Sequence, residues 1–157
     1  MINKNLKKII SELKLVILAG GLGSRLSEET IVKPKPLVEI GGIPIILHLM
    51  KYYSNYGVKK FIICLGYKGN MIREFFINRY LPKKNFKIDL INKNKFNFIG
   101  SKKENWIIEF VDTGKNSLTG KRLKMVEHLV GENFLFTYGD GLSNIRIDKT
   151  VEMFFNS

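Results

Sequence analysis

The chain has 157 residues, 45% of them hydrophobic, and a formal net charge of +12. That length fits one domain with an ordinary core, and no run of 18 apolar residues offers a membrane span. The charge raises nucleic acid as a partner, but seven lysines against one acid, Asp89, between Lys83 and Lys103 supply +6 of it in an asparagine-rich stretch. No RNP-type aromatic motif, zinc spacing or helix-turn-helix signature accompanies the lysines, so they read as a solvated basic segment.

In chain order, "MINKNLKKIISELK" lacks the apolar block and cleavage site of a secretory signal. It predicts an amphipathic helix with Leu6, Ile9, Ile10 and Leu13 on one face. "KLVIL" (14–18) predicts a buried strand running into glycines. "PLVEI" predicts a short strand or extended segment; "GG" turns the chain, and Pro44 fits the first position of a helix. "IILHLMKYYSNY" is that helix, ending before Gly57. "KKFIICL" predicts a strand closed by "GYKG", with its single cysteine, Cys64, buried and reduced. "NMIREFFINRYL" predicts a helix stopped by Pro82.

"FKIDLI" and "WIIEFVD" predict strands, the second followed by the polar loop "TGKNSLTG". "KRLKMVEHL" has helical spacing, "NFLFTY" predicts a strand leading into "GDG", and "DKTVEMFF" a last helix. Strands alternating with helices imply an α/β fold of Rossmann-like, three-layer α/β/α type with a mostly parallel sheet. Ligands of such sheets collect beyond the C-terminal strand ends, where the glycine loops after Leu18, Leu65 and Tyr138 would lie.

Three short stretches carry chemistry. In "GGLGSR", Gly20, Gly21 and Gly23 remove side chains where a strand turns, so backbone N–H groups can approach a polyphosphate. Ser24 adds a hydroxyl, and Arg25 a charged fork suited to phosphate oxygens. A tight turn would also call for glycine. The loop is neither a Walker A nor a dinucleotide fingerprint, since no Gly-Lys-Ser/Thr follows and Leu26 stands where a third glycine would be needed. In "VKPKP", Pro34 and Pro36 stiffen the chain around Lys35 and bias it toward an extended form, with Lys33 pointing elsewhere. In "FTYGDG", Asp140 stands between two glycines, which suits a carboxylate that holds Mg²⁺ against phosphate as well as a plain turn.

Together with "SEET", "VEIGG", "ICLGYKG", "VDTG" and "TGKRLK", these stretches resemble the sugar-1-phosphate nucleotidylyltransferases, and within them the glucose-1-phosphate cytidylyltransferase branch. The likeness runs in order from Leu15 to about Asp148, with Ser24 in place of the usual threonine and Ile43 in place of a lysine; it implies that residues 1–14 are an extension and 15–157 the nucleotide-binding portion of a nucleotidylyltransferase domain. The resemblance implies a cytoplasmic enzyme of nucleotide-sugar biosynthesis, such as serves lipopolysaccharide O-antigen. It would join CTP to glucose 1-phosphate with Mg²⁺ as cofactor, releasing pyrophosphate and forming CDP-glucose. It implies neither a nucleic-acid nor a membrane partner, and homo-oligomers for complete members.

By the same resemblance, Gly20, Gly21, Gly23, Ser24 and Arg25 bind the CTP phosphates. Arg25 and Lys35 are catalytic, Asp140 binds metal, and a loop with Thr119, Gly120 and Arg122 lies near the nucleotide. His48 and His128 match no catalytic position. Complete members continue well beyond "YGDG", so the chain is expected to be truncated at its C-terminal side and to lack much of the sugar half. A non-catalytic nucleotide-binding remnant and a different base specificity are the alternatives.

Overall fold

The computed structural model describes residues 4–21, 32–80 and 104–156. The expected strand at 86–91, the basic segment Lys83–Lys103, Pro82, and Gly23, Ser24 and Arg25 lie outside the described residues.

Helix α1 (Lys4–Glu12) leads into strand β1 (Lys14–Leu18). A two-residue pair follows, β2 (Glu39–Ile40) with β3 (Ile43–Pro44), antiparallel. Gly41 and Gly42 turn between them at φ 60° and 74°, the left-handed values a two-residue hairpin turn requires. Then come α2 (Ile45–Tyr56), β4 (Lys60–Leu65), α3 (Gly69–Tyr80), β5 (Ile107–Asp112), α4 (Thr119–Val126), β6 (Leu135–Tyr138) and α5 (Ile147–Asn156). No helix among the described residues is long and apolar enough to cross a membrane.

The main sheet is parallel throughout, in the order β5-β4-β1-β6. Leu15 pairs in register with Phe61 on one side and Leu135 on the other. Side chains alternate across the sheet, and here both faces are covered. Leu15, Ile17, Phe61, Ile63 and Leu65 enter a large core with residues of α1, α2, α3 and α5. Val16, Leu18, Ile62 and Cys64 face a smaller one closed by Val126 of α4 with Leu123, Leu129 and Val130 nearby. This is the expected three-layer α/β/α arrangement, and it explains why β1 and β4 read as unbroken apolar runs.

Each fully buried Leu, Ile or Phe contributes roughly 1.5–3 kcal/mol. Phe61 adds an edge-on contact with Trp106, centroids 5.4 Å apart, and the Trp106 indole N–H donates to Ser54 Oγ at 2.9 Å. That pair ties β5 to α2.

Several boundaries differ from the sequence reading for local reasons. On α1, Ile10 is fully buried but Ile9 is 38% exposed, because the contact stripe runs through Leu6, Ile10 and Leu13. Pro44 caps α2 instead of starting it, at φ −56° and ψ 143°. Lys35 lies in a single 3₁₀ turn, Lys35–Leu37, where an extended chain was expected. The chain is extended at the residues on either side of the turn, Pro34 at ψ 144° and Val38 at ψ 137°. A 3₁₀ turn accepts proline's fixed φ, and its two donors are Leu37 N–H to Pro34 and Val38 N–H to Lys35, so no missing proline N–H is needed. Thr119 and Gly120, expected in a loop, begin α4, because Arg122 N–H reaches the Leu118 carbonyl at 3.1 Å.

Candidate functional site

β1 is flanked by β4, which follows it in the chain, and by β6, which the chain reaches only after β5. The chain thus reverses its winding direction across β1, which opens a crevice beyond the strand ends. A cleft of about 340 Å³ lies there, lined by Gly21, Lys35, Lys115, Thr119, Arg122 and Asp140 among others. The structure therefore gathers Gly21, Lys35, Thr119, Arg122 and Asp140 from four separate stretches of sequence. Gly20 lies behind the lining, and Gly120 is exposed on α4 with open space around it among the described residues.

Close packing of a proline-flanked turn against a glycine-bounded one positions Lys35 and Asp140. Gly139 N–H donates to the Leu18 carbonyl at 2.8 Å, continuing the β1–β6 ladder. A Cβ on Gly139 would sit 2.9 Å from Pro36 Cγ and 3.2 Å from the Leu18 oxygen. The absence of that atom lets the 3₁₀ turn lie against the end of β6. Lys35 Nζ then stands 3.6 Å from Asp140 Oδ2. Lys33 points away and meets Glu39 at 3.5 Å, both exposed, as its spacing suggests.

Arg122 is 4% exposed. One guanidinium nitrogen, Nη1, donates to Thr113 Oγ1 at 2.6 Å and the Leu65 carbonyl at 3.1 Å. The other, Nη2, donates to the Gly20 carbonyl at 2.9 Å and the Lys115 carbonyl at 3.4 Å. All four acceptors are neutral oxygens, so no carboxylate among them neutralises the charge. Burial lowers its pKa, opposed by Cys64 and Asp112 nearby, and a guanidinium stays charged at neutral pH regardless. Cys64, on the strand below, is buried, and burial pushes its thiol up to about 11. It is no nucleophile.

Thr113, Gly66 and Lys115 belong to this site and were not singled out from sequence. Thr113 is fully buried, and its N–H and Oγ1 both donate to Leu65 O, at 2.9 and 2.7 Å. Its motif, "VDTG", was the one available signal. Lys115 reaches the ring of Tyr67, 5.4 Å from its centroid. His48 bonds the Ile40 carbonyl at 2.9 Å, outside the cleft, and His128 is exposed.

With Lys35, Lys115 and Arg122 against Asp140, the cleft carries an excess of positive charge, which suits an anion. The sequence profile of the family described as Nucleotidyl transferase matches residues 14–95. The chain belongs to this family. Its relatives among nucleotidyl transferases include the glucose-1-phosphate cytidylyltransferase of Salmonella typhimurium, 52% identical over 142 residues, covering 89% of this chain and 55% of that protein. A probable glucose-1-phosphate cytidylyltransferase of Bacillus subtilis is 44% identical over 136 residues, covering 86% and 53%. Among solved structures, HddC from Yersinia pseudotuberculosis complexed with GMP-PN aligns with a TM-score of 0.65 and 28% identity, over 90% of this chain and 53% of that one. The chain thus spans about half the length of the curated relatives it matches.

Proposed function

We propose that the cleft is the CTP half of a glucose-1-phosphate cytidylyltransferase site. In that reaction a phosphate oxygen of α-D-glucose 1-phosphate attacks the α-phosphorus of CTP in line. The bond from the α-phosphorus to the bridging oxygen breaks, and pyrophosphate leaves with the electron pair. No protein nucleophile is needed, so the protein contributes positioning and charge. The observation that carries this reading is the convergence of Lys35 and Asp140 at the end of β6, beside Gly21.

Gly21 leaves backbone free to approach the triphosphate and Gly20 supports it from behind, with Gly23, Ser24 and Arg25 as the loop's continuation on the resemblance already stated. Lys35, only 22% exposed and held by a turn with prolines on either side, meets the phosphates with little entropy left to lose. Thr119 and Arg122 border the same space.

Mg²⁺ fits this site in a limited sense. Asp140 is one accessible carboxylate on a tight turn, and the described residues hold no group of three His, Cys, Asp or Glu that could cage an ion. Mg²⁺ commonly keeps waters and takes one or two carboxylates plus substrate phosphates, which one aspartate supports. Bound there, it would offset charge on the triphosphate. Lys35 would then exchange Asp140 for phosphate.

The test is calorimetric titration with CTP, UTP and GTP in Mg²⁺, paired with pyrophosphate release from CTP and glucose 1-phosphate. CTP should bind in preference to the other two, and Lys35→Ala should weaken it, while pyrophosphate release reads whether these 157 residues turn over. Absence of triphosphate binding would refute the reading. Preference for UTP or GTP would assign another base, and rapid pyrophosphate release would show that these residues suffice.

A further inference from the structure

The geometry points to Arg122 as a positioning residue that aims the phosphate-binding backbone, and not as a direct phosphate ligand; this rests on the triphosphate reading of the cleft. Both terminal nitrogens of its guanidinium are committed to four oxygens within the protein. Those oxygens belong to the ends of β1, β4 and β5, so one side chain from α4 ties three loops together.

The decisive bond is to Gly20. Its carbonyl accepts from Arg122 Nη2 at 2.9 Å and from Tyr67 N–H at 3.2 Å. In a planar trans peptide the C=O and the following N–H point in opposite directions. Holding the Gly20 carbonyl inward therefore turns Gly21 N–H outward, and Gly21 lines the cleft. A swing of this peptide would put a carbonyl where an anion needs a donor.

The glycines show how closely the clamp is built. A Cβ on Gly20 would fall 2.3 Å from Arg122 Nη1, and one on Gly66 would fall 2.6 Å from the same atom and 2.7 Å from the Gly20 oxygen. The Gly66 position offers a way to disturb the clamp while leaving the arginine and its charge in place.

The experiment compares Arg122→Lys, Arg122→Met and Gly66→Ala. It measures CTP and cytidine affinity by NMR titration and backbone exchange at Gly21, Tyr67 and Thr113, with Ile17 and Ile62 as core references. A lysine keeps the charge but cannot span four acceptors. All three variants should lose about tenfold or more in CTP affinity, the equivalent of one hydrogen bond to a charged group. Cytidine affinity should be unchanged, and exchange should accelerate at Tyr67 and Thr113, whose amides donate to oxygens that Arg122 also holds, while the core stays protected.

Wild-type CTP affinity in Arg122→Lys, or in a Gly66→Ala variant whose Tyr67 amide has opened, would overturn the proposal in favour of a direct charge contact. Equal loss for CTP and cytidine would overturn it in favour of a general structural role. If the unmodified chain binds no triphosphate, the cytidylyltransferase reading fails on its own. Exchange then judges the clamp: protected Tyr67 and Thr113 amides in Arg122→Met would refute it too. Should Arg122→Met fail to fold, Arg122→Lys and Gly66→Ala carry the test.

Discussion

Replacing Gly139 with alanine presses a methyl group between β6 and the turn that carries Lys35. The new carbon would stand 2.9 Å from Pro36 Cγ, 3.2 Å from the Leu18 oxygen and 3.4 Å from Ala19 Cα, against the 3.5–4.0 Å that carbon pairs prefer. None of these neighbours can rotate away: one is a ring and two are backbone. The Leu18 oxygen is also held by the Gly139 N–H itself. Overpacking of this kind costs about 1–3 kcal/mol. Alanine returns about 0.4–1 kcal/mol by restricting the unfolded chain.

The net loss is about 1–2 kcal/mol, or a fall of about 3–6 °C in melting temperature for a chain of this size. The same shift must part the 3₁₀ turn from β6, separating Lys35 from Asp140 and weakening CTP. Differential scanning calorimetry with CTP titration measures both. A melting temperature equal to or above that of the unmodified protein would refute the packing account.

Other expectations follow from the same geometry. Gly21→Ala meets nothing within 4 Å among the described residues, so its melting temperature should match that of the unmodified protein; the added methyl holds phosphate away from the amide it leaves in place, and CTP binding should fall about tenfold, the worth of one amide–phosphate bond; unaltered binding would remove Gly21 from the site. Cys64 should resist alkylation at pH 8 in the native state, given burial and a thiol pushed up to about 11, and react only as fast as the chain opens; rapid native labelling by a thiol reagent would contradict its placement. Asp148 is held below the ordinary carboxylate range chiefly by its hydrogen bond from Arg146. A depressed carboxyl contributes stability above its unfolded pKa, about 3.9, and loses it as pH falls through the lower folded value. Asp148→Asn should therefore melt below the unmodified protein at pH 5–7, with the gap closing below pH 4; a gap independent of pH would refute this.

The strands of the main sheet and the glycine turns at their ends were legible because period and turn chemistry are local. β1, β4 and β5 fall within a residue of the stretches that apolar runs marked. Lys35 and Asp140 could be named from "KPKP" and "GDG", but their meeting depends on Gly139 against Pro36, a contact across more than a hundred residues. The 3₁₀ turn at Lys35 went unread because proline's φ suits both an extended chain and a 3₁₀ turn. Arg122 was legible as a residue near the cleft and illegible as a clamp. Its partners are mostly carbonyls, which every residue has, and which carbonyls it meets depends on α4 starting at Thr119.

The outer side of β6 has a consequence for how the protein behaves in solution. Among the described residues no strand pairs with that side. On β6, Phe136 and Tyr138 are 38% and 50% exposed, and Phe136 lines an apolar groove together with Phe154 and Phe155 of α5. Exposed aromatic side chains of this kind favour contact between molecules, while a net charge of +12 drives the molecules apart. The two forces differ in reach: adhesion acts at contact, and repulsion extends over a Debye length of about 10 Å at 0.1 M salt and about 3 Å at 1 M. Colloidal stability is therefore set by ionic strength, and salting-out should begin while every helix and strand is still intact.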